Sequence, residues 1–315
     1  MARVAVQHTR PQRESPTPCA ILPRAQSADA LRYLSAAWQE RDGYFPCEVS
    51  ASRQFTVAAS VSPERFTSLQ IALLLDPAPR AGNGYASALA SKIAQRCATN
   101  LRSDEVVHFF HDASRLPADA DCTALAYLLA LRAGFDLEAQ AHRALDRIAA
   151  NLGPGGVVAT YFDRTGERAG IIDAVVAANV VRLAARLGRT DAIVATSAFL
   201  DGVIRDDSYL DGSRYYPSPD CLLYSLALGR PVPGLRDAIA ARIGASDSTI
   251  DLAQRVLAAR RVGLINTVDS DRLAAKADTT GTWPAEGWFC YGRSRRWFGS
   301  RALSTAFALA ALAAS

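Results

Sequence analysis

The chain has 315 residues, half of them hydrophobic (50%), enough to fill the core of one large domain or two ordinary ones. Its formal net charge of +4 is carried by scattered Arg, which marks neither a nucleic-acid surface nor a polybasic membrane anchor. Six cysteines without a CxxC pair, beside only four histidines, fit no zinc pattern and imply reduced thiols in the cytoplasm.

Residues 1–25 are basic and broken by Pro11, Pro16 and Pro18, lack the apolar core of a signal peptide, and are expected to form a disordered arm. From 26 to 315 one unit recurs, in which a helix rich in small residues leads to a Gly-centred turn with aromatics or Pro and then to the next helix. Its four copies are Asp42-Gly43-Tyr44-Phe45-Pro46, Gly155–Phe162, Gly212-Ser213-Arg214-Tyr215-Tyr216-Pro217 and Gly281-Thr282-Trp283-Pro284-Ala285. Helices apolar nearly all round are expected from near Phe66, Asp121, Asp173, Pro219 and Ala302, with amphipathic helices between them, as at 137–152 and 237–243. Buried helices recur about every 50 residues, one helix pair with its connections. Alternating inner and outer helices close most naturally into an all-α, single (α/α)6 toroid with a cavity where the inner helices begin; an open solenoid is the alternative. No apolar run reaches membrane-spanning length, and 302–314 is too short and Ala-rich to span, which leaves only peripheral membrane contact open.

Pro117-Ala118-Asp119-Ala120-Asp121-Cys122-Thr123-Ala124 precedes an apolar run and places two carboxylates at the start of an inner helix. Two acids so close cannot both lose solvent and stay ionised cheaply, so the pair can hold a proton. The positive end of the helix stabilises the anion left behind. A strong acid facing an apolar cavity is what protonating an alkene or epoxide requires. The commoner use of such an Asp is as a helix cap, with Thr123 helping. Aromatic faces stabilise carbocations, and Tyr161, Phe162, Tyr215, Trp288, Phe289 and Trp297 are candidate cavity residues, whereas Trp283 sits in the repeat and reads as packing. Asp173 and Asp220, followed by Cys221, open later inner helices, as caps or as groups facing the substrate and the acid. Arg293 and Arg296 precede the last inner helix, where a diphosphate could bind. Asn179 reads as a buried polar contact, and His108 and His111 as packing. Asp206-Asp207-Ser208-Tyr209-Leu210-Asp211 is not a magnesium-binding Asp-Asp-x-x-Asp motif, because its third acid falls one position late.

In its turn repeats and its Asp-x-Asp-Cys-Thr-Ala motif, the chain from about residue 26 resembles the squalene–hopene and oxidosqualene cyclases and related class II terpene cyclases. The resemblance implies Asp121 as general acid, Cys122 hydrogen-bonded to it, and Asp119 as the partner carboxylate. Having both Asp119 and Cys122 mixes the two subfamily patterns, and 315 residues suffice for one barrel where those cyclases use two. A protein-prenyltransferase β subunit shares the toroid but needs zinc on Asp, Cys and His, and no His follows Asp220-Cys221. The expected function is a protonation-initiated intramolecular cyclase or isomerase of secondary metabolism. It would act on an isoprenoid or other unsaturated hydrophobic small molecule. No metal or redox cofactor is expected, Mg2+ entering only if the substrate is a diphosphate. A lone barrel could line its pocket with its own loops, pair as a homo-oligomer or with a partner barrel, or act on a substrate smaller than a triterpene. The alternative is a non-catalytic toroid that binds a hydrophobic ligand, or one subunit of a heteromeric cyclase.

Overall fold

The computed structural model describes residues 22, 24–40, 44–56, 60–76, 84–294 and 296–313. The arm expected over 1–25 lies outside the described residues except for Leu22 and the first residues of α1, as do Cys19, Asp42 and Gly43. Six inner helices, α2 (Phe66–Leu75), α4 (Ala120–Arg132), α6 (Ala174–Arg186), α8 (Pro219–Ala227), α10 (Thr249–Arg261) and α12 (Arg301–Leu312), pack each on the next, and α12 returns to α2. The outer helices α1 (Arg24–Glu40), α3 (Gly84–Ser103), α5 (Glu138–Ala149), α7 (Val194–Arg205), α9 (Leu235–Arg242) and α11 (Thr267–Ala275) pack against this ring. The fold is therefore a closed (α/α)6 toroid.

Sequence pattern separates the two layers. Along α2 every residue except Leu74 is buried, as an inner helix with neighbours on all sides requires. Along α5 burial falls on Ala141, Ala144, Leu145 and Ile148, one stripe at helical period, and the rest meets water.

Helix α10 escapes the apolar pattern because its buried face is polar. Arg255, 2% exposed, donates to Asp220 on α8 at 2.7 Å, to Asp269 on α11 at 2.8 and 3.0 Å, and to the Ser246 carbonyl at 2.6 Å. Asp251 on the same helix accepts from Arg53 at 2.6 Å. These pairs tie three neighbouring repeats together through fully partnered charge.

The ring also carries short strands that the scarcity of β-branched alternation does not foretell. Strands β1 (Cys47–Ser50), β2 (Ser60–Ser62), β5 (Gly287–Cys290) and β6 (Trp297–Gly299) form an antiparallel sheet ordered β2-β1-β6-β5. Strands β3 (Val107–His108) and β4 (Ala118–Asp119) form a hairpin before α4. Gly299 in β6 is required by close approach, since a Cβ there would lie 1.8 Å from the Glu286 carbonyl. Among the described residues, Cys47, Cys97, Cys122, Cys221 and Cys290 are free thiols, and no helix is long and apolar enough to cross a membrane.

Arg255→Ala removes a guanidinium from between two buried carboxylates and should lower unfolding stability by about 3 kcal/mol, read as a shift in the urea midpoint.

Candidate active site

Hairpin β3–β4 delivers the chain to α4 in extended conformation, with Asp119 as N-cap: its Oδ1 accepts from the Cys122 backbone N–H at 2.6 Å. The segment 160–162 runs antiparallel beside it, held by Ala120 N to Thr160 O at 2.7 Å and Phe162 N to Ala118 O at 2.9 Å. Thr123 bonds the Asp119 carbonyl at 2.6 Å and receives Val107 N at 2.9 Å, fixing the hairpin to the helix. With the cap supplied by Asp119, Asp121 in the first turn is free for other partners.

Those partners come from the next two repeats. Asn179, on α6, donates to Asp121 Oδ1 at 2.8 Å, and the Tyr216 hydroxyl donates to Oδ2 at 2.6 Å. Tyr216 is set in place by the third turn repeat. Ser213 N bonds the Tyr216 carbonyl at 2.7 Å, and Gly212 takes φ 68° where a Cβ would lie 2.3 Å from the Pro217 carbonyl. Asp173 caps α6 through Val175 N at 2.9 Å and Val176 N at 3.3 Å, while its other oxygen accepts Tyr215 N at 2.9 Å. Asp173 thereby pins the turn that carries Tyr216.

Both acids of the motif are buried, Asp119 at 4% and Asp121 at 5% exposure. Burial pushes the Asp119 carboxyl up to about 7, with the Asp121 charge adding to the rise and the Cys122 bonds opposing it. Burial likewise raises Asp121 to about 6, against the lowering effect of Tyr216 and Asn179. Loss of solvent thus outweighs the helix end, and the pair holds a proton near neutral pH.

Asp119 and Asp121 line a pocket that is partly open to solvent. Its walls are aromatic: Phe66, Phe109, Tyr161, Tyr215, Tyr216, Phe289, Tyr291 and Phe298. Phe289 stacks on Phe298 at 5.1 Å and meets Phe66 edge-on at 5.2 Å. Arg168 donates to the Tyr291 hydroxyl at 3.0 Å and lies 5.4 Å over the Tyr161 ring.

Of the residues expected from sequence, the pocket brings together Asp119, Asp121, Cys122, Tyr161, Tyr215 and Phe289. Others lie elsewhere. Trp288, 2% exposed, is a packing residue stacked on Phe66 and edge-on to Phe307. Trp297 carries the Arg53 guanidinium at 5.4 Å and does not line the acid pocket; its strand neighbour Phe298 does, since successive strand side chains face opposite ways. Phe162 lines a separate groove with Arg147 and Arg164. Asp173 acts through the turn rather than in the pocket, and Asp220 is consumed by Arg242 and Arg255. Arg296 is exposed and outside the pocket lining; the Arg293 side chain lies outside the described residues. Cys122 lines the pocket beside the acids, and its backbone N–H donates to Asp119 Oδ1. From sequence, Tyr216 is a loop aromatic with no link to the acid, and Asn179 is a buried polar contact without a named partner. Its signal was an Asn on an inner-helix face. Among the described residues no three His, Cys, Asp or Glu side chains are grouped as metal ligands.

Comparison with known proteins gives the same architecture. A crystal structure of a protein from Actinoplanes superposes with a TM-score of 0.64 at 19% identity, covering 91% of this chain and 98% of that one. The type II terpene cyclase MstE from Scytonema does so at 0.62 and 17%, covering 91% and 97%. In sequence, the drimenol cyclase drtB of Aspergillus calidoustus is 30% identical over 182 residues, 54% of this chain and 34% of that protein. The chain therefore spans about a third of the length of the curated relative it matches. Part of its sequence is thus similar to a drimenol cyclase, and its fold to that of a type II terpene cyclase. More particularly, residues 86–186 match the family described as sesquiterpene cyclase astC-like C-terminal domain, a stretch that includes the acid motif and Asn179.

Tyr216→Phe removes a bond to the ionised form of Asp121, so that carboxyl should titrate above about 6 when followed by its infrared carbonyl band. Because both acids are raised above 3.8 in the folded state, their contribution to stability is complete below about pH 4 and is lost as pH rises through 6 and 7. Asp119→Asn should flatten this decline in denaturation midpoints measured across pH 4–8.

Proposed function

We propose that the protein is a protonation-initiated cyclase or isomerase of an isoprenoid or similarly unsaturated hydrophobic substrate, with Asp121 as general acid and Asp119 as the carboxylate sharing its proton. The observation that carries this reading is a buried acid, raised to about 6, that lines an aromatic-walled pocket. Protonating an alkene needs a protonated acid and walls that shield the resulting cation, and burial moves Asp121 toward the range in which it keeps its proton. Tyr216 and Asn179 hold both oxygens of Asp121 and receive the anion once the proton has left. The faces of Phe66, Phe289 and Phe298 stabilise the travelling positive charge. This chemistry requires neither metal nor redox cofactor, and Mg2+ enters only to accompany a diphosphate on the substrate.

The names of relatives guide the choice of substrate. The family matched over 86–186 is described by a sesquiterpene cyclase, and MstE has been captured with geranylgeranyl dihydroxybenzoate as substrate. Linear farnesyl and geranylgeranyl compounds are therefore the substrates to offer. A second reading treats the chain as one module of a longer or heteromeric cyclase, as its span of 34% of the drimenol cyclase suggests.

Asp121→Asn, with its fold verified by circular dichroism, should reduce cyclisation of these compounds by about 10²–10⁴-fold. Unchanged turnover would sink the assignment. Activity of the purified chain alone would remove the need for a partner module.

A further inference from the structure

One indole stands directly behind the acid pocket. Trp288 is buried and outside the lining, yet it meets three rings that do line the pocket: Phe66, stacked on it at 5.4 Å, Tyr216 at 5.7 Å and Phe289 at 6.0 Å between centroids. Beyond it lies Phe307 of α12 at 5.1 Å, which in turn meets Tyr224 of α8 at 5.7 Å. Trp288 therefore fills the space between the pocket wall and the inner helices. The local backbone puts it there. Gly287 pairs with Gly299 and Phe289 with Phe298, so two steps along β5 match one along β6, and Trp288 is the extra residue of a bulge. A bulge re-aims a side chain, and this one leaves Phe289 on the pocket while the indole packs behind it. Gly287 permits the close approach of the two strands, since a Cβ there would lie 2.7 Å from Trp297 Cβ.

We infer that Trp288 is a specificity-determining residue whose bulk sets how many isoprene units fold beside the acid pair. The choice of substrates rests on the cyclase reading; the effect on pocket size does not. Phe66, Tyr216 and Phe289 are backed by this one side chain, and in a close-packed interior they cannot retreat while the indole is present. A smaller side chain at 288 leaves a space into which Phe66, freed from its stack, can turn, and the pocket gains volume. A chain that cyclises must fold whole against the acid, so added volume favours the chain with more isoprene units. Trp288 acts through the lining rings and is a positioning residue. Because Tyr216 also donates to Asp121 at 2.6 Å, shrinking Trp288 loosens that bond and lowers kcat on every substrate. A ratio between two chain lengths cancels this common loss.

A second buried indole supplies the contrast. Trp283 is tied to α11 and α12, its ring N–H donating to the Leu273 carbonyl at 2.8 Å and its backbone N–H to the Thr305 hydroxyl at 3.2 Å. Shrinking it costs packing, as shrinking Trp288 does, but the space it leaves lies between helices.

The full chain is compared with Trp288→Phe, Trp288→Leu and Trp283→Phe on linear farnesyl and geranylgeranyl compounds that share one head group. The kcat/KM for the geranylgeranyl compound relative to the farnesyl one should rise from Trp to Phe to Leu at position 288, by about tenfold at Leu. It should keep its parent value in Trp283→Phe. Indole added to Trp288→Ala refills the space and should draw the ratio back toward the parent value. Dissociation constants of the fully saturated analogues, which have no double bond to protonate, should shift in the same direction. An unchanged ratio of both kinds in Trp288→Phe, which keeps a ring against Phe66 and with it the fold, overturns the inference. An equal rise in Trp283→Phe overturns it too, because the effect would then be general loosening. Failure of the cyclase reading would be recognised separately, by full activity of Asp121→Asn, and the saturated analogues would still report the size of the pocket.

Discussion

A buried helix must find acceptors for the free N–H groups of its first turn, and this toroid buries six such turns at one end of its inner ring. Each is met by a polar side chain just before the helix: Glu64 on Thr67 N, Asp119 on Cys122 N, Asp173 on Val175 N, Ser218 on Asp220 N, Ser248 on Asp251 N and Ser300 on Leu303 N. Three are carboxylates and three are serines, and the carboxylates belong to three consecutive inner helices, α2, α4 and α6. The candidate site grows from that side. A cap is a structural necessity there, and choosing Asp for it places a carboxylate in a dry rim at no further geometric cost. Asp121 adds a second acid that the cap leaves free, and Asp173 uses its spare oxygen to hold the turn bearing Tyr216. Capping and chemistry are carried out by one set of residues.

Legibility from sequence followed the same physics. Inner helices whose neighbours are all apolar, such as α2 and α6, announce themselves by runs of Leu, Val and Ala. Helix α10 does not, because Asp251 and Arg255 point into the core and are satisfied by partners distant in sequence. The strands escaped because three or four residues containing Gly and aromatics resemble a loop until their partners are known, and β1 and β6 come from opposite ends of the described chain. The acid motif was readable since both carboxylates and the helix they open are contiguous. Its partners were not: Asn179 and Tyr216 reach Asp121 across 58 and 95 positions of sequence, and neither residue type in isolation distinguishes a ligand of the acid from a packing contact.

The aromatic residues divide on a finer rule. Trp283 is fully buried and gives its indole N–H to the Leu273 carbonyl at 2.8 Å, so its size serves to wedge helices apart. Trp288 packs behind the pocket wall, supporting Phe66. The rings that line the space are Phe and Tyr, which present faces without an indole N–H that would require a partner. For Trp283, a large ring with a polar edge sits where a backbone carbonyl lies within reach.

The sheet that joins β1 to β6 alters how the molecule comes apart. In an open array of helix pairs, the terminal units fray first and stability is nearly a sum over neighbours. Here Glu48 pairs with Gly299, and α12 rests on both α1 and α2, so no unit occupies an end. Fraying is suppressed, and opening any one repeat breaks contacts on both sides. The same closure makes folding depend on bringing together segments far apart in sequence, which slows the final step and leaves the acid pocket unformed until the circle is complete.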